Sequence, residues 1–214
     1  MIRVHSHSEP GGHVVNEDAY RVVQHEGDDR CHMIVVADGQ GGRSGGAAAA
    51  ATACNSFIDQ ANAIRPKDLL LLSRWDELLG SVDLSVVQDP AAGYTTLVAL
   101  CVFEGFLVGA SSGDSAAMIH LPNEDRYFVL TERQQKNPPV GSGSAVFVPF
   151  SFRLEIPWRQ LTMTDGCWKY AGWSTINESV KMEASERVID SMLNSVRMAN
   201  GELRDDFTAV LLED

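Results

Sequence analysis

The stretch VVADGQGGRSGG (residues 35–46) reads as a strand that runs into a glycine-rich turn and then into a helix. Such a turn holds phosphate in many proteins, because its backbone N–H groups point at the anion. Yet Asp38 stands at the mouth of the turn, where its negative charge would repel a phosphate. A P-loop is excluded because no Lys follows the glycines, and Ser44 replaces the third Gly of a dinucleotide fingerprint. The simplest remedy is a hard divalent cation between the aspartate and the anion.

A site for such a cation needs several oxygen ligands, and further acids stand where apolar strands begin or end. They are Glu17 and Asp18 in NED, Asp114 in SGD, Asp165 in MTDG, and Asp205 and Asp206 in RDDFT. Asp38 and Asp165 share one local design, an apolar run followed by the acid and then Gly, which we expect to provide a sharp backbone turn. A single Asp beside Gly is usually a turn former. The number, order and strand-end position of these acids therefore predict a metal site.

The composition is that of a globular protein with one sizeable core. The chain has 214 residues, 44% of them hydrophobic and 21% charged, so we expect one domain spanning residues 1–214, with residues 1–12 as a flexible N-terminus. The formal net charge of -12 disfavours a nucleic acid partner. The four cysteines form no CxxC pair and predict reduced, buried thiols. No segment reaches the roughly 20 apolar residues of a membrane span, so we expect a cytoplasmic protein without a membrane partner.

The order of the predicted elements favours an α+β fold over a doubly wound sheet, because strands and helices do not alternate regularly. Strands are predicted at residues 13–24 and 31–38, and helices at 47–62 and 67–87. From Tyr94 onward, short apolar runs predict a meander of antiparallel strands at residues 95–103, 106–112, 115–120 and 126–130. A polar loop is predicted at 131–144, strands at 152–156 and 160–165, a helix at 184–200 and a last strand at 207–213.

The motifs NEDAY, VVADGQGG, YTTLV, GDS, TDG and DDFT resemble, in order and approximate spacing, those of the metal-dependent, type 2C protein serine/threonine phosphatases. The resemblance is to small bacterial members and covers residues 12–212. It implies a β-sandwich of two antiparallel sheets flanked by helices in four αββα layers. It also implies two divalent cations, Mn²⁺ or Mg²⁺, and hydrolysis of phosphoserine and phosphothreonine by a metal-activated water.

The resemblance also implies roles for individual residues. Asp38 bridges both cations, Asp165 and Asp205 complete one metal site, and Glu17 with the Gly39 carbonyl completes the other. Asp18 supports the catalytic centre from behind these ligands. Asp114 corresponds to a ligand of a third cation that some members bind. That third site also needs an acid where this chain has Lys169, so we expect it to be weak or absent, or its charge to be replaced by Lys169.

Two positions depart from the family pattern around the substrate phosphate. His13 stands where many members have an arginine that grips the phosphate, and a neutral imidazole binds an anion more weakly than a guanidinium. Arg43 is the candidate to replace that arginine, although His13 facing solvent without a role is an equal alternative. Gln40 stands where some members have a histidine that protonates the leaving group.

The implied partner is a phosphorylated protein, the product of a Ser/Thr kinase, and we expect a monomer. The alternative is a pseudophosphatase that binds a phosphoprotein or kinase without turnover, a reading motivated by His13 and Lys169. The retained metal acids favour catalysis. A metal-dependent nuclease is disfavoured by the net charge of -12. For Trp158, Trp168 and Trp173 we expect packing at the core and rim rather than a recognition surface.

Overall fold

The computed structural model of the protein describes residues 2–12, 15–40 and 44–214. Two antiparallel five-stranded sheets lie face to face, with helices against both outer surfaces. The first sheet contains, in spatial order, β1 (Arg3–Glu9), β10 (Phe207–Glu213), β9 (Arg159–Met163), β6 (Ala116–Leu121) and β7 (Arg126–Val129). The second contains β2 (Asp18–His25), β3 (Asp28–Asp38), β4 (Leu97–Phe103), β5 (Phe106–Ser112) and β8 (Val148–Arg153). The α+β sandwich implied by the resemblance is therefore confirmed.

The helices form the outer layers and pack on the sheets through two apolar clusters. They are α1 (Gly46–Asn62), α2 (Ser73–Gln88), α3 (Asp165–Val180) and α4 (Val188–Val196). The small buried alanines of α1, such as Ala49 and Ala53, let this helix approach the second sheet closely. α3 and α4 cover the first sheet, and a third cluster fills the space between the sheets. Burial of these faces is the main stabilising contribution to the fold.

The N-terminal segment is ordered, so the prediction of a flexible segment at residues 1–12 was wrong for the part that forms a strand. β1 pairs with the whole of β10, from Arg3 opposite Glu213 to Glu9 opposite Phe207. Its sequence RVHSHSE is polar because β1 is an edge strand whose side chains stay partly exposed. The backbone ladder, which the sequence pattern does not reveal, holds this strand in place.

The strands predicted as one meander are divided between the two sheets, so that prediction was also wrong. β4 and β5 form a hairpin in the second sheet, whereas β6 and β7 pair in the first. The chain crosses from one sheet to the other through residues 113–115, which include Asp114. The crossing brings this acid to the end of the sandwich where strands of both sheets terminate.

Other element boundaries differ from the prediction. α3 was not predicted, β8 begins and ends earlier than expected, and α4 is shorter than the predicted helix. The predicted second helix is divided into a 3-10 turn, Asp68–Leu70, and α2. The loop predicted at 131–144 contains no helix or strand. Among the helices described here, none has the length and apolar character needed to cross a membrane.

Candidate active site

Acidic side chains line a cavity of about 590 Å³ at one end of the sandwich. Each stands at or next to a strand terminus: Glu17 before β2, Asp38 at the end of β3, Asp114 between β5 and β6, Asp165 after β9, and Asp205 and Asp206 before β10. Because these termini lie at the same end of the two sheets, acids that are far apart in sequence share one cavity. The structure thus brings together the predicted ligand residues, including Gly39.

Asp38 is held by the backbone of its neighbours. Its N–H donates to Thr96 Oγ1 (3.0 Å), and its carbonyl accepts bonds from Thr96 N–H (2.8 Å) and Thr95 Oγ1 (2.9 Å). On the other side, Gly39 N–H donates to the Glu17 carbonyl (3.1 Å). Both threonines also line the cavity, and the sequence analysis gave them no role, although the YTTLV motif marks their position. These bonds fix the backbone that presents the Asp38 carboxylate.

The glycines after Asp38 and Asp165 permit close approach rather than a left-handed turn, since neither has a positive φ. A Cβ at Gly39 would overlap the backbone of Gly46, where α1 begins. A Cβ at Gly166 would overlap the Asp206 carbonyl. A turn at these positions therefore does not use a left-handed glycine. Their contribution is to let helix and strand backbones meet beside the two acids.

The surroundings of Asp38 do not compensate a negative charge on its carboxyl group. Burial raises the pKa of Asp38 to about 9, and the neighbouring carboxylates of Asp18 and Asp165 add to the rise. Burial and Asp114 likewise raise the pKa of Asp165. Among the described residues, the carboxylates of Glu17 and Asp38 have no hydrogen-bond or ion-pair partner from a side chain. Desolvated carboxylates that repel one another favour either protonation or a bound cation.

The donors in this cavity fit Mn²⁺ or Mg²⁺. They are hard carboxylate and carbonyl oxygens, which both ions prefer, and no thiol lines the cavity within the described ranges. In the same part of the chain, no group of three or more Asp, Glu, His or Cys side chains is arranged closely enough to hold a metal ion. An open cavity agrees with ions that retain several waters. The individual ligand assignments stay predictions.

Asp18 lies behind the cavity rather than on its lining. It pairs in register with Asp38 across β2 and β3, and its Oδ2 accepts a hydrogen bond from Thr164 Oγ1 (2.9 Å). Burial raises the pKa of Asp18 to about 7, and the Asp206 carboxylate adds to this rise. Thr164 immediately precedes Asp165, so this hydrogen bond connects β2, the strand that contains Asp18, with the start of α3. This position agrees with a supporting role for Asp18.

Asp206 is a structural acid whose role the sequence did not indicate. Its Oδ1 accepts the N–H of Gly11 (2.7 Å) and its Oδ2 accepts the N–H of Glu17 (2.6 Å). The residue is only 6% exposed. Asp206 therefore joins the segment before β10 to the segments that follow β1 and precede β2. It holds the backbone of Glu17, a predicted ligand, at the edge of the cavity.

Two lysines pair with acids of the cavity. Lys169 Nζ lies 3.2 Å from Asp165 Oδ2, one helical turn along α3, and this bond raises the pKa of Lys169. Lys136, in the loop 131–144, forms an ion pair with Asp114 and also lines the cavity. Sequence analysis singled out Lys169, but the partner of Lys136 could not be inferred because 22 positions separate it from Asp114.

Of the remaining predicted residues, Gln40 is exposed and lines the cavity. His13 and Arg43, predicted to bind the substrate phosphate, lie outside the described residues. Their roles stay predictions. Trp158 is buried in the cluster between the sheets, in agreement with the packing role expected for it.

Solved structures of bacterial proteins share this fold. Superposition on the serine/threonine phosphatase PstP/Ppp of Mycobacterium tuberculosis gives a TM-score of 0.80 at 18% identity, covering 99% of this chain and 98% of that one. Stp1 of Staphylococcus aureus gives 0.78 at 17% identity, over 100% and 95% of the two chains. PppA of Pseudomonas aeruginosa, described as a key regulatory component of T6SS, gives 0.75 at 19% identity, over 99% and 96%.

The αββα sandwich of this chain is thus the fold of solved serine/threonine phosphatases, and an acid-lined cavity lies at its end. A sequence search among curated proteins finds no significant match. The family model described as protein phosphatase 2C matches residues 6–208. The chain belongs to the protein phosphatase 2C family.

Proposed function

We propose that this protein is a metal-dependent phosphoprotein phosphatase that hydrolyses phosphoserine and phosphothreonine with a metal-activated water. The observation that carries the proposal is the convergence of the predicted ligand acids on one cavity, in a chain of the protein phosphatase 2C family. The uncompensated carboxylates of Glu17 and Asp38 support a bound cation. The proposed substrate is a phosphorylated protein produced by a Ser/Thr kinase. A cytoplasmic location and a monomeric state stay predictions.

The residues proposed to hold two divalent cations are Glu17, Asp38, the Gly39 carbonyl, Asp165 and Asp205. When bound, the cations would supply Lewis acidity, which lowers the pKa of water and neutralises phosphoryl oxygens. The chain itself positions the acids. The threonine bonds to the Asp38 backbone fix one ligand, and Asp206 fixes the backbone of another. Fixed ligands need no rearrangement as the substrate phosphate enters the cavity.

The surroundings of the cavity determine how the anionic phosphate and the leaving group are handled. Lys136 contributes a positive charge to the lining, which reduces repulsion of the phosphate by the acids. The Gln40 side-chain amide can donate a hydrogen bond but cannot release a proton at neutral pH, so protonation of the leaving hydroxyl is assigned to water. The proposed Asp114 ligand role competes with its ion pair to Lys136, which agrees with a weak third metal site.

A pseudophosphatase that binds a phosphoprotein or kinase without turnover is the second candidate function. The observation that favours it is the Lys169 ammonium 3.2 Å from Asp165, since a cation bound to a ligand lowers its affinity for metal. The remaining acids carry no such pairing inside the described ranges, apart from Asp114. The experiment that tests the proposal must therefore separate metal binding from turnover.

We would measure hydrolysis of a small aryl phosphate and of a phosphothreonine peptide in Mn²⁺, in Mg²⁺ and in chelator. Turnover is expected only with metal, and Asp38→Asn is expected to lower it by at least about 100-fold, since even loss of a ligand's supporting contact costs 10- to 100-fold. The matched control is Asp29→Asn, which neutralises an exposed acid at the other end of β3. Metal binding by the wild type without turnover would support the pseudophosphatase, and turnover in chelator would exclude both candidates.

A further inference from the structure

A second cavity, of about 700 Å³, adjoins the acidic cavity. The two share Gly113, Asp114 and Lys136 in their linings, so one wall separates them. We call the second cavity the aromatic groove, because its other walls include Tyr127, Phe128, Trp168 and Trp173. It runs beside β7, the edge strand of the first sheet. The metal-binding residues proposed above do not account for this groove.

One wall of the groove consists of Trp168 and Trp173 on α3, and a hydrogen bond joins it to the backbone of the acidic cavity. The rings of Trp168 and Trp173 stack, with centroids 6.0 Å apart and planes 18° apart. Trp168 Nε1 donates to the Asp114 carbonyl (2.8 Å). Both tryptophans pack on the cluster beneath α3 but remain only partly buried, so part of each ring faces the groove. Across the groove, Tyr127 is 40% exposed.

The loop 131–144 contributes Lys136 to the wall between the two cavities and is anchored at its start. Gln134 Nε2 donates to the Ser115 carbonyl (2.6 Å), and Gly113 N–H donates to the Gln135 carbonyl (2.8 Å). Further along, the Asp83 carboxylate on α2 accepts the Ala145 N–H (3.1 Å). A loop held by several bonds keeps its shape before a ligand arrives, which reduces the entropic cost of binding.

We propose that the aromatic groove binds the substrate polypeptide beside the phosphorylated residue and accepts a large apolar or aromatic side chain of that segment. The proposal rests on the proposed function, because it needs a phosphoprotein whose phosphate occupies the acidic cavity. The continuity of the two cavities favours this occupant, since a chain leaving the acidic cavity over the Asp114 wall enters the groove directly. Aromatic walls with a few polar groups are typical of sites that bind such side chains.

The geometry of α3 limits which substrate position reaches the groove. At 1.5 Å of rise per residue, Trp168 lies about 5 Å along the helix from Asp165. Trp173 follows the interruption of the helix at Gly172, and its ring stacks on that of Trp168 at a centroid distance of 6.0 Å. An extended peptide advances about 3.3 Å per residue. A side chain roughly two to four residues from the phosphorylated residue therefore lies beside the tryptophans. Substrate residues farther than this from the phosphorylated residue lie beyond the groove.

The test is a set of phosphothreonine peptides of one length and charge. One carries Phe three residues before the phosphothreonine, one carries Phe three residues after it, and one carries Ala at both positions. For the wild type, one of the Phe peptides is expected to have a kcat/KM roughly three- to tenfold higher than the Ala peptide, a difference that one aromatic contact typically provides. Equal values for all three peptides would overturn the proposal.

Tyr127→Ala tests the wall without disturbing the core, because this side chain is substantially exposed. The variant is expected to lose the preference for Phe and to hydrolyse a small aryl phosphate as the wild type does. Trp173→Phe, which keeps a ring, is expected to retain part of the preference. The matched control is Phe106→Ala, which removes an exposed aromatic side chain from β5 on the other sheet. A preference that persists in Tyr127→Ala, or disappears in Phe106→Ala, would contradict the assignment.

Binding measurements separate failure of this proposal from failure of the proposed function. Fluorescence anisotropy with the same labelled peptides and the Asp38→Asn variant needs no turnover. Tighter binding of a Phe peptide that depends on Tyr127 would support the groove even if the wild type hydrolyses nothing. Equal binding of all peptides would overturn the proposal, as would a Tyr127-dependent dimer in sedimentation, which would assign the groove to a second copy of the chain.

Discussion

Replacing Asp206 with Asn provides a direct test of how the site is held together. In the structure, the two carboxylate oxygens of Asp206 accept the backbone N–H groups of Gly11 (2.7 Å) and Glu17 (2.6 Å) at a position 6% exposed. An asparagine has one acceptor oxygen, so only one of these bonds survives. The other N–H then faces an NH₂ group that cannot accept its hydrogen.

The magnitude follows from the bond that is lost and the donor that is left unpaired. A hydrogen bond to a charged group contributes about 1.5–3 kcal/mol, and an unsatisfied buried donor costs about 1–3 kcal/mol. Removing one negative charge from a crowded group of acids offsets part of this loss. We therefore expect Asp206→Asn to lower the free energy of unfolding by about 2–4 kcal/mol. For a chain of this size, that corresponds to a decrease in Tm of roughly 4–16 °C.

The assay is urea unfolding in chelator, with Asp190→Asn as the control because Asp190 is an exposed acid on α4. Amide hydrogen exchange gives a second, local reading. Faster exchange is expected at Gly11 and Glu17 in the variant, with no change in the control. A loss of stability below about 0.5 kcal/mol, the range of ordinary surface substitutions, would refute the reasoning that Asp206 anchors these segments.

Two further predictions concern the charge of the cavity. The pKa values of Asp38 and Asp18, raised to about 9 and about 7, mean that the metal-free folded protein holds protons that the unfolded chain has released above about pH 4. The free energy of unfolding in chelator should therefore fall as pH rises from 5 to 9, and saturating Mn²⁺ should reduce the slope of this fall. Urea unfolding curves at several pH values measure this dependence, and a free energy of unfolding that rises with pH would contradict the prediction. Lys169→Met removes the ammonium 3.2 Å from Asp165, and because this pair is half-exposed we expect Mn²⁺ affinity to increase only up to about fivefold. Unchanged or weaker affinity in calorimetric titration would show that Lys169 does not compete with the metal.

The positions of the acids could be predicted from the sequence because each signal is local. An apolar run, an acid and a glycine, as around Asp38 and Asp165, mark the end of a buried strand within a few residues. Resemblance to a known family then supplied the arrangement that places those strand ends together. The structure adds the physical reason for the glycines, which is the close approach of neighbouring backbones rather than a left-handed conformation.

Elements whose stability depends on distant partners could not be predicted. β1 is mostly polar and is defined by its ladder with β10, whose residues lie 198 to 210 positions away in sequence. α3 gives no clear amphipathic pattern, and its regular conformation is interrupted at Gly172, which has a φ of 76°. The ion pair of Lys136 with Asp114 and the bonds of Asp206 to Gly11 and Glu17 likewise depend on which loops the fold brings together.

The pattern of compensated and uncompensated acids argues for where cations bind. Asp206 is satisfied by two backbone N–H groups, Asp114 by Lys136, and Asp165 in part by Lys169. Within the described residues, Glu17 and Asp38 receive no comparable partner, although Asp38 is among the most strongly desolvated acids of the cavity. A buried carboxylate without a partner is unfavourable unless it is protonated or binds a cation. The negative charge at the mouth of the glycine-rich turn is thus best explained as the place where the cation proposed above binds, between the protein and the phosphate.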